Sequence, residues 1–172
     1  MKQYLKISLL LLAIVASSHL YAQNNYKFGH INSQELISTM PEYDSAQVAL
    51  QSFAKGLQDQ LEVMQVEYNK KLQDYQAEMN NLTELIRQTK EQELMDIQQR
   101  VQTFNQSAQQ NMQAKQGEVM QPIIEKAQQA IKDIGSENSF TYIYDIAGGS
   151  ILYFSADSED VLPLVKKKLG MN

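Results

Sequence analysis

Apolar residues recur along the middle of the chain at helical spacing. Leu50, Phe53, Leu57, Leu61, Met64, Tyr68, Leu72, Tyr75, Met79 and Leu82 follow one another at intervals of 3, 4, 4, 3, 4, 4, 3, 4 and 3. The period is near 11/3 at first, so the seam runs almost straight or slightly right-handed rather than as a strict heptad supercoil. Leu94, Ile97, Val101, Phe104, Ala108, Met112, Lys115 and Val119 form a second seam. One narrow stripe per helix is enough to zip two arms together and too little for a globular core. Between Leu57 and Gln116 there are sixty residues with no Gly and no Pro, thick with strong helix formers. Extended to Asp44 and Ile134 the span covers 91 residues, and one unbroken helix of that length would measure about 135 Å. Short β-like segments flank the span on both sides, and pairing between them brings the two helix ends back to one place. The pattern therefore predicts an antiparallel helical hairpin; a single long parallel coiled coil is the alternative. The reversal is expected between Asn80 and Thr89, with Thr89 and Gln92 as a capping box for the return arm.

Before the arms, Tyr26 to Ile31 reads as a short strand with Phe28 and His30 on opposite sides of its two-residue alternation. Asn32 caps a helix from Ser33 to about Thr39, with Glu35 in capping-box register, and the helix stops before Pro41. The first arm then starts near Asp44 or Ser45. On the return, Gly117 and Pro122 predict a kink or a fresh helix start. Beyond them Ile123, Ala127, Ala130, Ile131 and Ile134 make a wider apolar face. After Gly135, the aromatic and β-branched run Phe140 to Ile146 reads as a strand, Gly148-Gly149 as a turn, and Ser150 to Phe154 as its hairpin partner. A short helix closes the chain, with Asp160 as N-cap and Pro163 in the first turn. Val161, Leu164, Val165 and Leu169 share one side, Lys166 to Lys168 lie in the last turn, and Gly170 ends it.

The first 22 residues alter this picture because they read as a targeting segment. Lys2 and Lys6 precede an apolar run from Leu9 to Ala16, and Ala22 stands before a polar stretch, with a cut after Ala22 or Ser18. The apolar run is short for a membrane span. The division that results is a signal peptide over residues 1–22, a first part of a small body over residues 23–43, arms over residues 44–134, and the rest of the body over residues 135–172. The mature chain is expected to be soluble and outside the cytoplasm. Its loss of Lys2 and Lys6 takes the basic count from 15 to 13 against 20 acidic residues, a net charge of −7. That balance does not suggest a nucleic-acid partner. The chain has no Cys, which removes disulfides, thiol chemistry and a lipid-modified N-terminal Cys. About sixty residues outside the arms are too few to bury a sizeable core alone, so oligomerisation is expected.

Candidate chemistry is sparse. His30 is the one His after the leader and sits in a strand. Gly148-Gly149 lacks the Lys-Ser/Thr of a phosphate loop. Asp145 has no His, Cys or activated Ser in its pattern to make it a general base. The carboxylates of the arms are scattered among Gln and Lys without metal-ligand clustering. No active site, cofactor or metal is expected, and the chain reads as a non-enzyme.

A signal segment, the strand Phe28-Gly29-His30-Ile31-Asn32, the entry Met40-Pro41-Glu42-Tyr43 into a Gln-rich hairpin, Pro122-Ile123-Ile124 on the return, Tyr142-Ile143-Tyr144-Asp145 with Ile151-Leu152-Tyr153, and the closing Leu169-Gly170 together resemble the Skp/OmpH family of periplasmic chaperones. The resemblance runs from about Phe28 to Gly170. It implies an α+β, mostly α chain whose long hairpin projects like a tentacle from a small β-body completed by trimerisation. It also implies a periplasmic holdase that uses no ATP and shelters unfolded outer-membrane proteins between the arms of a homotrimer. On this reading Val63, Val66, Leu85 and Met95, apolar and off the seam, are the candidates for client contact. Phe28, Ile31, Tyr142, Tyr144, Ile151 and Tyr153 are the body and trimer-interface candidates, of which alternation turns about half inward. The arms carry 9 basic and 13 acidic residues, a net −4, which argues against lipopolysaccharide binding and leaves apolar contact as the main attraction for clients. The rival reading is a structural coiled-coil spacer or adaptor of the cell envelope.

Overall fold

The computed structural model describes residues 26–171; the targeting segment and both cut positions lie outside them. Two compact units divide the chain. One is Ser33–Ala130, and the other joins the described residues up to Asn32 with Ile131–Gly170.

The helical unit opens with α1 (Ser33–Ser38), followed by α2 (Pro41–Glu78) and, beyond a 3-10 turn at Met79–Asn81, by α3 (Glu84–Glu137), which continues past the unit. Helix α2 begins earlier than Asp44. Met40 is its extended N-cap at φ −73 and ψ 134, and Pro41 takes the first helical position, where its missing N–H would have been unsatisfied anyway. The pairing of α2 with α3 is antiparallel. Arg100 meets Glu67 at 3.1 Å, the Gln98 amide donates to the Tyr68 hydroxyl at 2.6 Å, Lys71 pairs with Glu93 at 2.9 Å, the Tyr75 hydroxyl donates to Glu91 at 2.5 Å, and Lys90 pairs with Glu78 at 3.2 Å. Each step outward on α2 is matched by a step back on α3. Nearer the base, Lys126 pairs with Glu42.

The expected seam is the one observed. Leu50, Leu94 and Ile97 are buried, and of the other seam positions only Met79, beside the reversal, is exposed. Most of the seam is thus half-buried, as befits two helices in contact along one stripe. The reversal falls inside the expected window, but its cap is Thr83, whose Oγ1 accepts from the Ile86 N–H at 3.5 Å. Thr89 is inside α3, with its hydroxyl donating to the Leu85 carbonyl at 2.9 Å. Nor do Gly117 and Pro122 start a new helix, since α3 runs through both. A proline there removes one backbone hydrogen bond, a cost of roughly 3 kcal/mol. Buried Ile123, Ala127 and Ala130 follow it, so the chain is held helical on the far side.

Helix α3 ends two residues after Gly135 in a Schellman closure. The Phe140 N–H donates to the Gly135 carbonyl at 2.9 Å and the Ser139 N–H to that of Ser136 at 3.4 Å. Ser139 holds the left-handed position at φ 55.

The second unit contains a three-stranded parallel sheet in the order β2, β1, β3, formed by β1 (Phe28–Ile31), β2 (Tyr142–Asp145) and β3 (Glu159–Asp160). Phe28 lies opposite Tyr142 and His30 opposite both Tyr144 and Asp160. The expected β-hairpin does not form, since Ser150 to Phe154 carries no strand and β2 pairs with β1 instead. A tight I′ hairpin turn needs positive φ at both central residues, and of the two glycines only Gly149 has it, at 66. The closing helix α4 (Leu162–Lys168) has Val161 rather than Asp160 as N-cap. Asp160 still serves the helix start, its carboxylate accepting from the Leu162 N–H at 2.9 Å. Gly170 ends the helix at φ 73, and Lys168 pairs with Glu137.

Candidate functional site

The sheet has two unlike faces, because residues two apart on a strand point the same way. Gly29 and Ile31 take the inner one. Ile31 is 1% exposed, and Val161 and Val165 are fully buried. A Cβ on Gly29 would lie 2.9 Å from Val161 Cγ1 and 3.0 Å from the Phe140 ring, so only glycine permits this approach. Lys27 sits 3.9 Å above the same ring and pairs with Glu159 at 2.9 Å.

Phe28 and His30 share the outer face, contrary to the opposite placement expected of them. Phe28 stacks on Tyr142 with centroids 6.3 Å apart and planes at 4°, and on Tyr144 at 6.5 Å. His30 stacks on Phe154 at 4.0 Å, and its Nδ1 hydrogen-bonds the Ser158 hydroxyl at 2.9 Å. An open cleft of about 450 Å³ results, walled by Phe28, His30, Tyr144, Ile151, Tyr153 and Phe154, with Ser155 and Ser158 at its side. Four of the six residues expected at the body or its interface meet in this cleft, and Tyr142 stacks beside it. Ile31 belongs to the chain's own core. Sequence reasoning missed His30, Phe154 and Ser158 as members of the cleft. Phe154 could have been found from its place in the same aromatic run; nothing in the sequence marks Ser158.

The cleft is an apolar and aromatic surface whose polar groups, apart from its tyrosine hydroxyls, are the His30 imidazole and the Ser155 and Ser158 hydroxyls, and none of its lining residues carries a carboxylate. Asp145 has a turn to hold, its carboxylate accepting from the Ala147 N–H at 3.0 Å. Among the described residues no cluster of His, Asp and Glu is placed to hold a metal.

The client-contact candidates are in the helical unit, spread along the two arms rather than gathered. Val63 is 61%, Val66 59%, Leu85 74% and Met95 55% exposed, so none of them thickens the seam. Val48, also widely exposed, and Ile86 belong with them and were not singled out from the sequence. Around these residues the arms are solvated and laced with ion pairs. Hydrogen bonds from Lys71 and Lys126 hold the Glu93 and Glu42 carboxyls below the usual carboxylate range, and the same contact with Glu93 raises Lys71. The bond to Glu91 pushes the Tyr75 hydroxyl up.

A family model described as outer membrane protein (OmpH-like) matches residues 27–169. The chain belongs to the OmpH-like family. That match takes in the sheet, both arms and α4 of this OmpH-like chain, so the membership rests on the whole described fold rather than on its helices alone. No curated protein matches the chain. None of its described helices is long and apolar enough to cross a membrane.

Proposed function

We propose that this OmpH-like chain is a periplasmic holdase that works without ATP as a homotrimer, keeping unfolded outer-membrane proteins from aggregating in the space between its arms. The observation that supports this most directly is the placement of Val63, Val66, Leu85 and Met95, each more than half exposed on otherwise polar helices. Isolated apolar side chains of this kind attract an unfolded chain weakly at many points, and enclosure turns many weak contacts into retention. Met95 adds an adaptable contact suited to varied partners. Clients that will become β-barrels present alternating apolar residues and unpaired strand edges before insertion, and shielding those edges prevents their association. The targeting segment takes the chain to the periplasm on this reading. The net acidic charge of the arms puts lipopolysaccharide binding in doubt.

The test is a light-scattering assay in which a urea-unfolded outer-membrane β-barrel protein is diluted into buffer with the purified mature chain, its native mass measured in the same run. Suppression near one trimer per client supports the reading. The variant carrying Val63→Ser, Val66→Ser, Leu85→Ser and Met95→Ser should lose most of the suppression while melting at the same temperature. A well-folded trimer that leaves several clients to aggregate would establish the envelope-spacer reading instead.

A further inference from the structure

Of the seven described methionines, five are shielded and two are not. Met40 is 1% exposed, and Met64, Met112, Met120 and Met171 are half-buried. Met95 is 55% and Met79 45% exposed. On α3, Met95 stands in sequence between Leu94 and Ile97, two buried seam residues, and is itself off the seam. Met79 opens the 3-10 turn where the arms reverse. The chain has no Cys and no Trp, so these two thioethers are its most readily oxidised accessible side chains. The other client-contact candidates, Val63, Val66 and Leu85, are hydrocarbon and offer an oxidant nothing. A mild two-electron oxidant therefore has one target among the contact residues and one at the turn.

We propose that Met95 and Met79 are oxidation sites for peroxide, and that sulfoxide formation at Met95 lowers the chain's hold on unfolded clients while the fold is kept. A sulfur lone pair attacks one oxygen of hydrogen peroxide, the O–O bond breaks, proton transfer releases water, and the sulfur keeps the oxygen. The thioether gives up two electrons and the peroxide takes them. An adaptable apolar contact thereby becomes a polar, hydrated one. Because neither side chain is buried, the new oxygen takes its hydrogen bonds from water; at Met64 or Met112 it would enter the seam between the arms. The inference rests on the holdase reading above and gives it a redox dependence, in a compartment that is an oxidising one.

The test treats the purified mature chain with a graded series of hydrogen peroxide, maps the products by peptide mass, and carries them into the light-scattering assay. Met79→Leu and Met95→Leu are treated alongside, each protein being compared with its own untreated sample. Met79 and Met95 should gain one oxygen at doses that leave Met40, Met64, Met112 and Met120 unoxidised. At such a dose the concentration that halves client aggregation should rise roughly twofold or more for the wild-type chain and for Met79→Leu, and should not move for Met95→Leu, with the helical signal at 222 nm retained. Methionine sulfoxide reductase with a thiol reductant should restore the untreated value. Oxidation of the half-buried methionines as readily as of Met79 and Met95 overturns the sites. Complete oxidation of Met95 with no loss of holding, or an equal loss in Met95→Leu, overturns the consequence for clients and leaves the holdase standing. An untreated chain that suppresses no aggregation overturns the holdase reading and that consequence with it, while the order of oxidation is read from the masses in every case.

Discussion

Truncating Ile97 should weaken the hairpin far more than truncating a seam residue of similar size elsewhere. At 2% exposure Ile97 is the most buried position of the seam, whereas Leu61 on the facing arm is only half-buried. Removing a buried Ile side chain to Ala costs roughly 2–5 kcal/mol through lost burial and the cavity left behind. Alanine's better helix propensity returns less than about 0.7 kcal/mol, so a net loss of about 2–4 kcal/mol is expected. Leu61→Ala gives up part of the same burial and opens onto solvent rather than a cavity, at about 1 kcal/mol. With a urea slope of about 1–3 kcal/mol per molar, Ile97→Ala should move the unfolding midpoint down by about 1–2 M and Leu61→Ala by about a third of that. The assay is urea unfolding followed at 222 nm, with all variants at one protomer concentration because assembly couples to stability. Equal shifts for the two variants would refute the reasoning, since the seam would then be uniformly tight rather than pinned near one residue. The pairs Tyr68–Gln98 and Lys71–Glu93 bracket that position, so the tight point and the cross-arm bonds coincide.

Two other perturbations have signs fixed by the structure. Glu93 and Glu42 have lowered values through hydrogen bonds to Lys71 and Lys126, so the stability they add is present above the ordinary carboxylate range and is lost as pH falls through their depressed folded values. The melting temperature of the wild-type chain should therefore fall more steeply on acidification than that of Glu93→Gln, by a small margin that molar salt removes because the pairs are exposed. Ser139→Gly should stabilise the chain by roughly 1 kcal/mol, read as a rise in the urea midpoint, because glycine takes the left-handed closure of α3 without the strain a side chain brings; an unchanged or lower midpoint would show that the serine side chain compensates.

The arms were legible because their signal is local. A stripe at 3- and 4-residue intervals says helix and names the buried side at once, and every seam position but Met79 proved at least half-buried. Boundaries were harder, because a cap depends on which of several polar residues finds a free N–H. Thr83 and Thr89 look alike in sequence, yet one caps α3 at Ile86 while the other bonds back to Leu85 within the helix. Pro41 and Pro122 are likewise the same residue with different consequences. The first sits where a helix has no N–H to lose, and the second inside a helix whose following turns are anchored by Ile123 and Ala127.

The sheet shows where composition stops being informative. Ser150 to Phe154 has the better strand composition, but Glu159–Asp160, two carboxylates with poor strand propensity, takes the edge of β1. What decides is partnership. The Val161 N–H donates to the His30 carbonyl at 3.0 Å, Glu159 pairs with Lys27, and Val161 behind them is fully buried, so the polar dipeptide is carried into the ladder by the residues on either side of its own backbone. Parallel pairing of β1 with β2 has the same character, since parallel neighbours need a long crossover and here the helical arms lie between them in sequence. No window of a dozen residues contains either pairing. The aromatic run left out of the sheet has no ladder partner among the described residues and packs through its rings instead, Phe154 stacking on His30 while Ile151 and Tyr153 help wall the cleft.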